Sequence, residues 1–224
     1  IFRSNARYGK KKENVFCEDP LKYVLKTNLS EQYDFKNIFV EAARNILNNQ
    51  NFRNQPLLEN GQQSSGNLFN TQDALVKKIE NILLLEIQKY RNRFKNSSEG
   101  LIQNWPNKFK IYGWLVNMKS GGLLKTHMHD SGWLSGSVYI NIPLKTKIDS
   151  GNLVLNIDYP KSHSLYTPPK KKLLSFFNKN LKQEKNVDLI TGSLCLFPSS
   201  LLHHTIPFDA KEDRIVLAFD VQPE

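Results

Sequence analysis

Two histidine clusters in a region rich in predicted strands constrain this sequence more than any other feature. His127 and His129 are separated by one residue, and His203 and His204 follow in a later segment. Side chains at positions i and i+2 of an extended strand project from the same face. We therefore expect His127 and His129 to share a face from which both can reach one metal ion.

The segments around these clusters are short, rich in β-branched and aromatic residues, and bounded by Gly and Pro, which is typical of strands in a small barrel or sandwich. The predicted fold class is mainly β with flanking helices. Strands are predicted at 109–118, 133–141, 151–157, 192–197 and 214–222, with 119–122 as the turn that leads into the first histidine cluster.

Two amphipathic helices are predicted at about 35–48 and 72–96, where apolar residues recur at helical spacing. Each should pack its apolar stripe on the barrel. The stretch 55–69 between them is polar, contains Gly and lacks a period, so it is predicted to be a loop. We expect residues 1–34 to form an N-terminal extension and residues 35–224 to form one domain.

The composition indicates the cellular environment in which the protein is expected to work. The sequence has no apolar run of 18 or more residues and only two cysteines, Cys17 and Cys195, which lie far apart. These features predict a soluble protein without contact to a membrane and favour a reducing, cytoplasmic setting. Ile1 is not an initiator residue, so an upstream region is expected.

The formal net charge of +10 invites a nucleic-acid interpretation, but basicity alone is a weak indicator. We predict instead an acidic substrate, either a small molecule or a segment of a peptide or protein. Much of the excess charge lies in 10–12 and in 161–185. Within the long basic segment 158–189, apolar residues at helical spacing predict a short surface helix over a barrel edge, and a lid or docking segment is the alternative.

Arg214 lies eleven residues after His203, on the next predicted strand. A guanidinium there would sit beside the metal and could bind a carboxylate through two parallel hydrogen bonds. A metal with a nearby carboxylate clamp is what chelation of a 2-oxo acid requires. Alternation along 133–141 places Ser135, Tyr139 and Asn141 on one polar face, which is the candidate pocket lining. Further candidates for the lining or for substrate contact are Trp114, Asn117 and Trp133.

These motifs resemble the 2-oxoglutarate- and Fe(II)-dependent oxygenases, in particular a bacterial group that often follows tetratricopeptide repeats. The resemblance covers roughly residues 50–224, and its two histidine segments are the most specific parts. The matching stretches are 55–69, 127–136, 197–203 and 214–220.

The resemblance implies a double-stranded β-helix, a jelly-roll or cupin-like barrel, with helices on one side. It implies that His127 and His203 bind iron and that 2-oxoglutarate chelates this iron. The distal carboxylate of 2-oxoglutarate would pair with Arg214, and Tyr139 stands where related enzymes place a tyrosine on the same carboxylate. The implied cofactors are Fe(II) and 2-oxoglutarate, and the implied reaction hydroxylates a C–H bond while 2-oxoglutarate is decarboxylated to succinate.

The third metal ligand departs from the commoner His-x-Asp/Glu pattern, because His129 occupies that position and Asp130 follows it. Strand geometry favours His129, since Asp130 would point to the opposite face. Asp130 is the alternative ligand, and a site of two histidines completed by water is a third possibility.

Two other functions fit the same residues. One is a non-catalytic binding module of the same fold, and the other is a three-histidine iron dioxygenase that does not use 2-oxoglutarate. In the latter, Arg214 would hold a carboxylate of the substrate. A structural alternative makes Arg214 a salt-bridge partner of Asp213 or Asp220.

Overall fold

The structure is a computed structural model that describes residues 16–157 and 184–224. Its helices are α1 (Glu41–Asn49), α2 (Ala74–Arg93) and α3 (Gly100–Gln103), and a π-helical turn, Lys36–Val40, runs directly into α1. Short 3-10 turns lie at Pro20–Tyr23, Leu29–Glu31 and Leu68–Asn70. The strands are β1 (Leu25–Asn28), β2 (Phe52–Arg53), β3 (Leu58–Ser64), β4 (Phe109–Leu124), β5 (Leu134–Asn141), β6 (Leu153–Asn156), β7 (Glu184–Val187), β8 (Ser193–Pro198), β9 (Leu202–Thr205) and β10 (Arg214–Pro223).

The strands form two antiparallel sheets. The larger has seven strands in the order β1-β8-β5-β10-β4-β3-β2, and the smaller has the order β7-β6-β9. A single β-bridge between His127 and His203 connects the segment after β4 to the smaller sheet. This arrangement confirms the prediction of a mainly β fold with flanking helices, and residues of both sheets line one cavity.

Alternation along the central strands separates two buried layers. Val138 and Leu217 belong to the main core, which the helices cover, whereas Tyr139 and Val216 face the other way into a second cluster with residues of the smaller sheet. Helix α2 contributes Ile79, Leu83 and Tyr90 to the main core, each fully buried. The helices therefore cover one face of the large sheet and leave its other face to build the cavity.

Asp73 fixes the start of α2, because its side chain accepts hydrogen bonds from the backbone amides of Leu75 and Val76 at 2.8 and 3.0 Å. Such a cap satisfies amides that have no partner within the helix. In the described part of the chain, no helix combines the length and the hydrophobicity that a bilayer span requires.

Two boundaries differ from the sequence-based prediction. The stretch 55–69 is not only a loop, because it contains β3, whose side chains are mostly polar while its backbone pairs with β4. The residues 119–122 are not a terminating turn, because β4 continues to Leu124. Gly121 adopts a positive φ of 74° there, and the β3–β4 register shifts between Glu59 and Gly61. A bulge of this kind bends a strand without ending it.

The predicted N-terminal extension also needs correction. β1 pairs with β8 and forms one edge of the seven-stranded sheet, and Leu29 is fully buried in the main core. Residues 25–29 are therefore part of the domain. The surface helix predicted in the basic segment falls within 158–183, outside the described residues, and 184–187 is β7.

Candidate metal centre

Three imidazoles meet where the two sheets approach each other. His127 and His129 lie in the irregular segment after β4, and His203 lies on β9. Reciprocal backbone hydrogen bonds of 3.1 and 2.8 Å join His127 to His203. One ring nitrogen from each of the three side chains lies within 4.8 Å of the other two. The expectation of a shared face is met, although the first two histidines lie in an irregular segment and not on a strand.

The Nδ1 atom of each imidazole already has a partner. His127 Nδ1 lies 2.8 Å from the carbonyl oxygen of Lys125, and His203 Nδ1 lies 3.2 Å from that of Leu201. His129 Nδ1 lies 2.6 Å from Asp220 Oδ1. Because these oxygens accept hydrogen bonds, each Nδ1 donates a proton, and in a neutral imidazole the lone pair then lies on Nε2. Histidines that bind metals are usually oriented in this way.

Burial keeps two of the rings neutral. Desolvation, followed by the influence of His129, lowers the pKa of His127 to about 4. Desolvation also holds the pKa of His203 well below its usual value, and this side chain is 5% exposed. Metal binding requires neutral imidazole, so both rings are in the required state at neutral pH. Clustered neutral imidazoles with open coordination positions suit Fe(II), Zn(II) or Cu(II).

Asp130, the alternative third ligand, is exposed and is not a member of the cluster. The chain enters a turn at Asp130, directly after His129, and Asp130 is not among the residues that line the cavity. The residues brought together are thus His127, His129 and His203.

Arg214 lies in the wall of the same cavity and is 2% exposed. Its Nε has no hydrogen-bond partner, and its Nη1 lies 3.5 Å from the sulfur of Met118. Desolvation lowers the pKa of this guanidinium, while the neighbouring Tyr139 raises it. No carboxylate in the described part of the chain forms a salt bridge with Arg214. Asp213 pairs with Lys119 and Asp220 with His129, so the structural alternative for Arg214 is wrong.

Tyr139 lies beside this guanidinium, whose central carbon is 5.3 Å from the centre of the phenol ring. Burial raises the pKa of Tyr139, so the phenol is neutral and can donate a hydrogen bond. Arg214 and Tyr139 therefore form one polar end of an otherwise largely apolar recess, where the Nε of Arg214 has no acceptor.

The cavity that joins these groups has a volume of about 420 Å³, within the range of small-molecule sites. Trp114 and Ser135 line it as predicted, together with the three histidines, Arg214 and Tyr139. Trp114 forms part of the wall next to the metal centre, since its ring centre lies 5.6 Å from that of His129.

Asn117, Trp133 and Asn141 do not line this cavity, which corrects the sequence-based assignment. Trp133 Nε1 donates to the carbonyl of Leu101, 2.9 Å away, and the ring packs on the main core. Asn117 and Asn141 both donate to Asp213, to its carboxylate and its carbonyl respectively. Asn141 is the last residue of β5 and pairs at the point where the β5–β10 register shifts, so simple alternation does not extend to it.

Sequence analysis did not assign a role at the site to Asp220. This carboxylate is 4% exposed and contacts both His129 and Ser135. The signal was present in the sequence, because alternation along β10 places Asp220 on the same face as Arg214, in a strand that is otherwise mostly apolar.

The fold and the site together define the class, a double-stranded β-helix with a candidate metal centre and a buried cationic end. Residues 112–220 match the family model described as "Putative 2OG-Fe(II) oxygenase". This match confirms the resemblance seen in the sequence: the segment carries an oxygenase domain of that family, for which the cofactors are Fe(II) and 2-oxoglutarate. No curated protein matches the chain.

Solved structures confirm the fold. A prolyl-4-hydroxylase from Pseudomonas putida superposes with a TM-score of 0.59 at 12% identity, over 92% of this chain and 94% of that one. HygX from Streptomyces hygroscopicus, solved with nickel, 2-oxoglutarate and hygromycin B, gives 0.54 at 14% identity, over 90% and 83%. A prolyl hydroxylase from Trichoplax adhaerens, in complex with a hypoxia inducible factor peptide fragment, gives 0.57 at 13% identity, over 89% and 83%.

Proposed function

We propose that the protein hydroxylates a C–H bond of its substrate with Fe(II) and 2-oxoglutarate. In this proposal His127, His129 and His203 hold the metal, and Arg214 with Tyr139 holds the carboxylate of 2-oxoglutarate that lies away from the metal. The observation that carries the proposal is the buried guanidinium of Arg214, which lacks a carboxylate partner among the described residues and opens into the cavity of the three imidazoles.

A buried cation without a counter-ion is costly, so its retention points to an anionic ligand. Arg214 can donate two parallel hydrogen bonds to one carboxylate, and the Tyr139 hydroxyl can add a third donor. A 2-oxo dicarboxylic acid suits this arrangement, because one end can chelate a metal while the other meets the guanidinium. A simple monocarboxylate would leave one of these two positive groups uncompensated.

The bound cofactors supply oxygen activation, with conversion of 2-oxoglutarate to succinate and CO2 and transfer of oxygen to the substrate. The chain contributes orientation and exclusion of water. Each histidine is held by the partner of its Nδ1, which fixes the direction of Nε2. Apolar residues, among them Leu153, Phe197 and Val216, line the cavity around the buried Arg214, and such a low-polarity environment strengthens the interaction of a guanidinium with a carboxylate.

The proposed substrate is a small molecule or a segment of a peptide. The structure of HygX contains hygromycin B, a small molecule, and the Trichoplax adhaerens enzyme was solved with a peptide fragment. Apart from Asp220, which is bound to His129, no acidic residue lines the described cavity, and Arg53 lies among its lining residues. The absence of a second carboxylate, together with the net charge of +10, favours an acidic or neutral substrate over a cationic one.

Anaerobic binding of 2-oxoglutarate tests this proposal. The Fe(II)-loaded protein should develop a weak visible charge-transfer band on titration with 2-oxoglutarate. Arg214→Ala should weaken 2-oxoglutarate binding at least tenfold, because it removes a charge-assisted contact, and should leave metal binding intact. Metal binding without any band at saturating 2-oxoglutarate would favour the three-histidine dioxygenase. Binding of neither would favour a non-catalytic module.

A further inference from the structure

Asp220 is a buried carboxylate beside the candidate metal centre. Its Oδ1 accepts hydrogen bonds from His129 Nδ1 at 2.6 Å and from the Ser135 hydroxyl at 2.7 Å. Within the described residues, His129 is its only ion-pair partner, and neither Lys nor Arg approaches it. Burial of a carboxylate is unfavourable unless a positive charge compensates it. The hydrogen bond uses Nδ1 of His129 and leaves Nε2 on the far side of the ring for a metal ion, which would provide this charge.

The surrounding residues hold this carboxylate in one place. The β5–β10 register pairs Asp220 with Ser135, and the Ser135 hydroxyl also lies 2.8 Å from that of Ser199. Gly132 allows this close approach, since a Cβ atom there would meet Ser199 Oγ at 2.5 Å and Asp220 Cγ at 3.3 Å. The packing around Asp220 thus holds its carboxylate in position to accept the hydrogen bond from His129.

Charge explains why a carboxylate is useful at this position. Three neutral imidazoles would leave the two positive charges of Fe(II) uncompensated, and Arg214 adds another in the same cavity. Asp220 contributes the opposite charge through the ring of His129, so the cavity retains two positive charges. A 2-oxoglutarate dianion would neutralise both, whereas without Asp220 the loaded site would keep an excess positive charge.

We propose that Asp220 is a positioning residue that supplies, through His129, the negative charge that a carboxylate ligand supplies in a His-x-Asp/Glu site. The inference rests on the proposed metal-binding role of the three histidines. In the commoner pattern a carboxylate binds the metal directly, whereas here His129 would bind the metal and Asp220 would bind His129. The site would therefore keep the same negative charge, one side chain further from the metal.

Asp220→Asn tests this inference, since it keeps the shape and removes the charge. The metal-free protein is titrated with Co(II), whose absorption reports ligation. We expect Asp220→Asn to weaken Co(II) binding by about tenfold to a hundredfold, as for other residues that hydrogen-bond to metal ligands. The control is Asp188→Asn, which removes a carboxylate paired with Lys145 on the surface and should bind Co(II) like the unmodified protein.

A spectroscopic measurement distinguishes an electrostatic role of Asp220 from a purely structural one. With saturating Fe(II) and 2-oxoglutarate under anaerobic conditions, the charge-transfer band of Asp220→Asn should lie at shorter wavelength. This band arises when light moves an electron from Fe(II) to 2-oxoglutarate. Removal of a nearby negative charge lowers the energy of the electrons on Fe(II), so the transition requires more energy. A purely structural role would change the occupancy of the site and leave the band where it is.

The outcomes are distinct. Loss of Co(II) affinity by threefold or more together with the shifted band supports the proposal. A loss below threefold, or weaker binding with an unshifted band, overturns it. If Asp220→Asn does not fold, Ser135→Ala decides in the same assays, because it removes the hydroxyl that orients the carboxylate. Affinity and band position unchanged in Ser135→Ala would then overturn the proposal. Failure of the unmodified protein to bind Co(II) would instead contradict the proposed function itself.

Discussion

The side chains of the candidate site are each oriented by a contact with a neighbouring protein group. The three histidines use Nδ1 for a carbonyl or a carboxylate, and Arg214 lies beside the neutral phenol of Tyr139. These contacts determine which atoms remain available to ligands. At this scale the chemistry follows from hydrogen-bonding capacity, because a nitrogen that already donates a proton cannot also bind a metal.

Tyr139→Phe should weaken 2-oxoglutarate binding without changing metal affinity. The substitution removes one hydroxyl donor to a carboxylate, and such a bond contributes about 1.5 to 3 kcal/mol, or roughly tenfold to a hundredfold in Kd. Anaerobic titration of the charge-transfer band measures the effect. Tyr23→Phe is the matched control, since it removes a hydroxyl that contacts Ser97 far from the cavity. Equal affinity in Tyr139→Phe and Tyr23→Phe would exclude the proposed role.

Residue types, their spacing and the resemblance to the oxygenase family together predicted much of the site. His127, His129 and His203 were proposed as a group, and the structure brings them within reach of one ion. Alternation along β10 places Asp220 on the face of Arg214, but its contact with His129 could not be predicted, because this contact depends on where the irregular segment after β4 lies against β10. No local periodicity encodes that tertiary contact.

Pairing between elements sets the geometry of the cavity. β10 lies between β4 and β5 at the centre of the large sheet, and its register with β5 places Asp220 opposite Ser135. Strongly alternating strands such as β5 and β10 were predicted well because one face is apolar and buried. β3 was missed because its side chains are mostly polar, and its pairing with β4 involves backbone groups that any sequence carries.

Gly136→Ala should destabilise the fold through the β5–β10 contact. A Cβ atom at Gly136 would meet the ring of Phe219 at 2.2 Å, and Phe219 is buried in the main core. Overpacking of this kind costs about 1 to 3 kcal/mol. Urea unfolding monitored by circular dichroism measures the loss. Lys110→Ala, a change at an exposed position of β4, should stay within about 0.5 kcal/mol. A neutral Gly136→Ala would show that the contact is not tight.

At the scale of the whole molecule, the candidate metal site joins parts that are distant in sequence. His127 and His129 follow β4 of the large sheet, whereas His203 belongs to the small sheet. The fold class was predictable because short strands and amphipathic helices have clear patterns. The inclusion of β1 in the sheet was not, since four residues are too few to show a period.

A metal that binds across the two sheets should stabilise the native state as a whole. Ni(II) at about a hundred times its Kd should add about 2.7 kcal/mol to the free energy of unfolding. Thermal unfolding with and without Ni(II) measures this as a rise in Tm. His203→Ala should abolish the rise, whatever its own effect on the metal-free protein. An equal rise in His203→Ala would mean that Ni(II) binds elsewhere.

The central claim is that the three histidines and Arg214 form one catalytic site that uses 2-oxoglutarate. The most direct test is succinate formation from 2-oxoglutarate by the Fe(II)-loaded protein in air without added substrate, compared with His203→Ala and Arg214→Ala. We predict slow uncoupled turnover in the unmodified protein and its loss in both variants at the same 2-oxoglutarate concentration. No succinate from the unmodified protein, or equal amounts from all three, would contradict the claim.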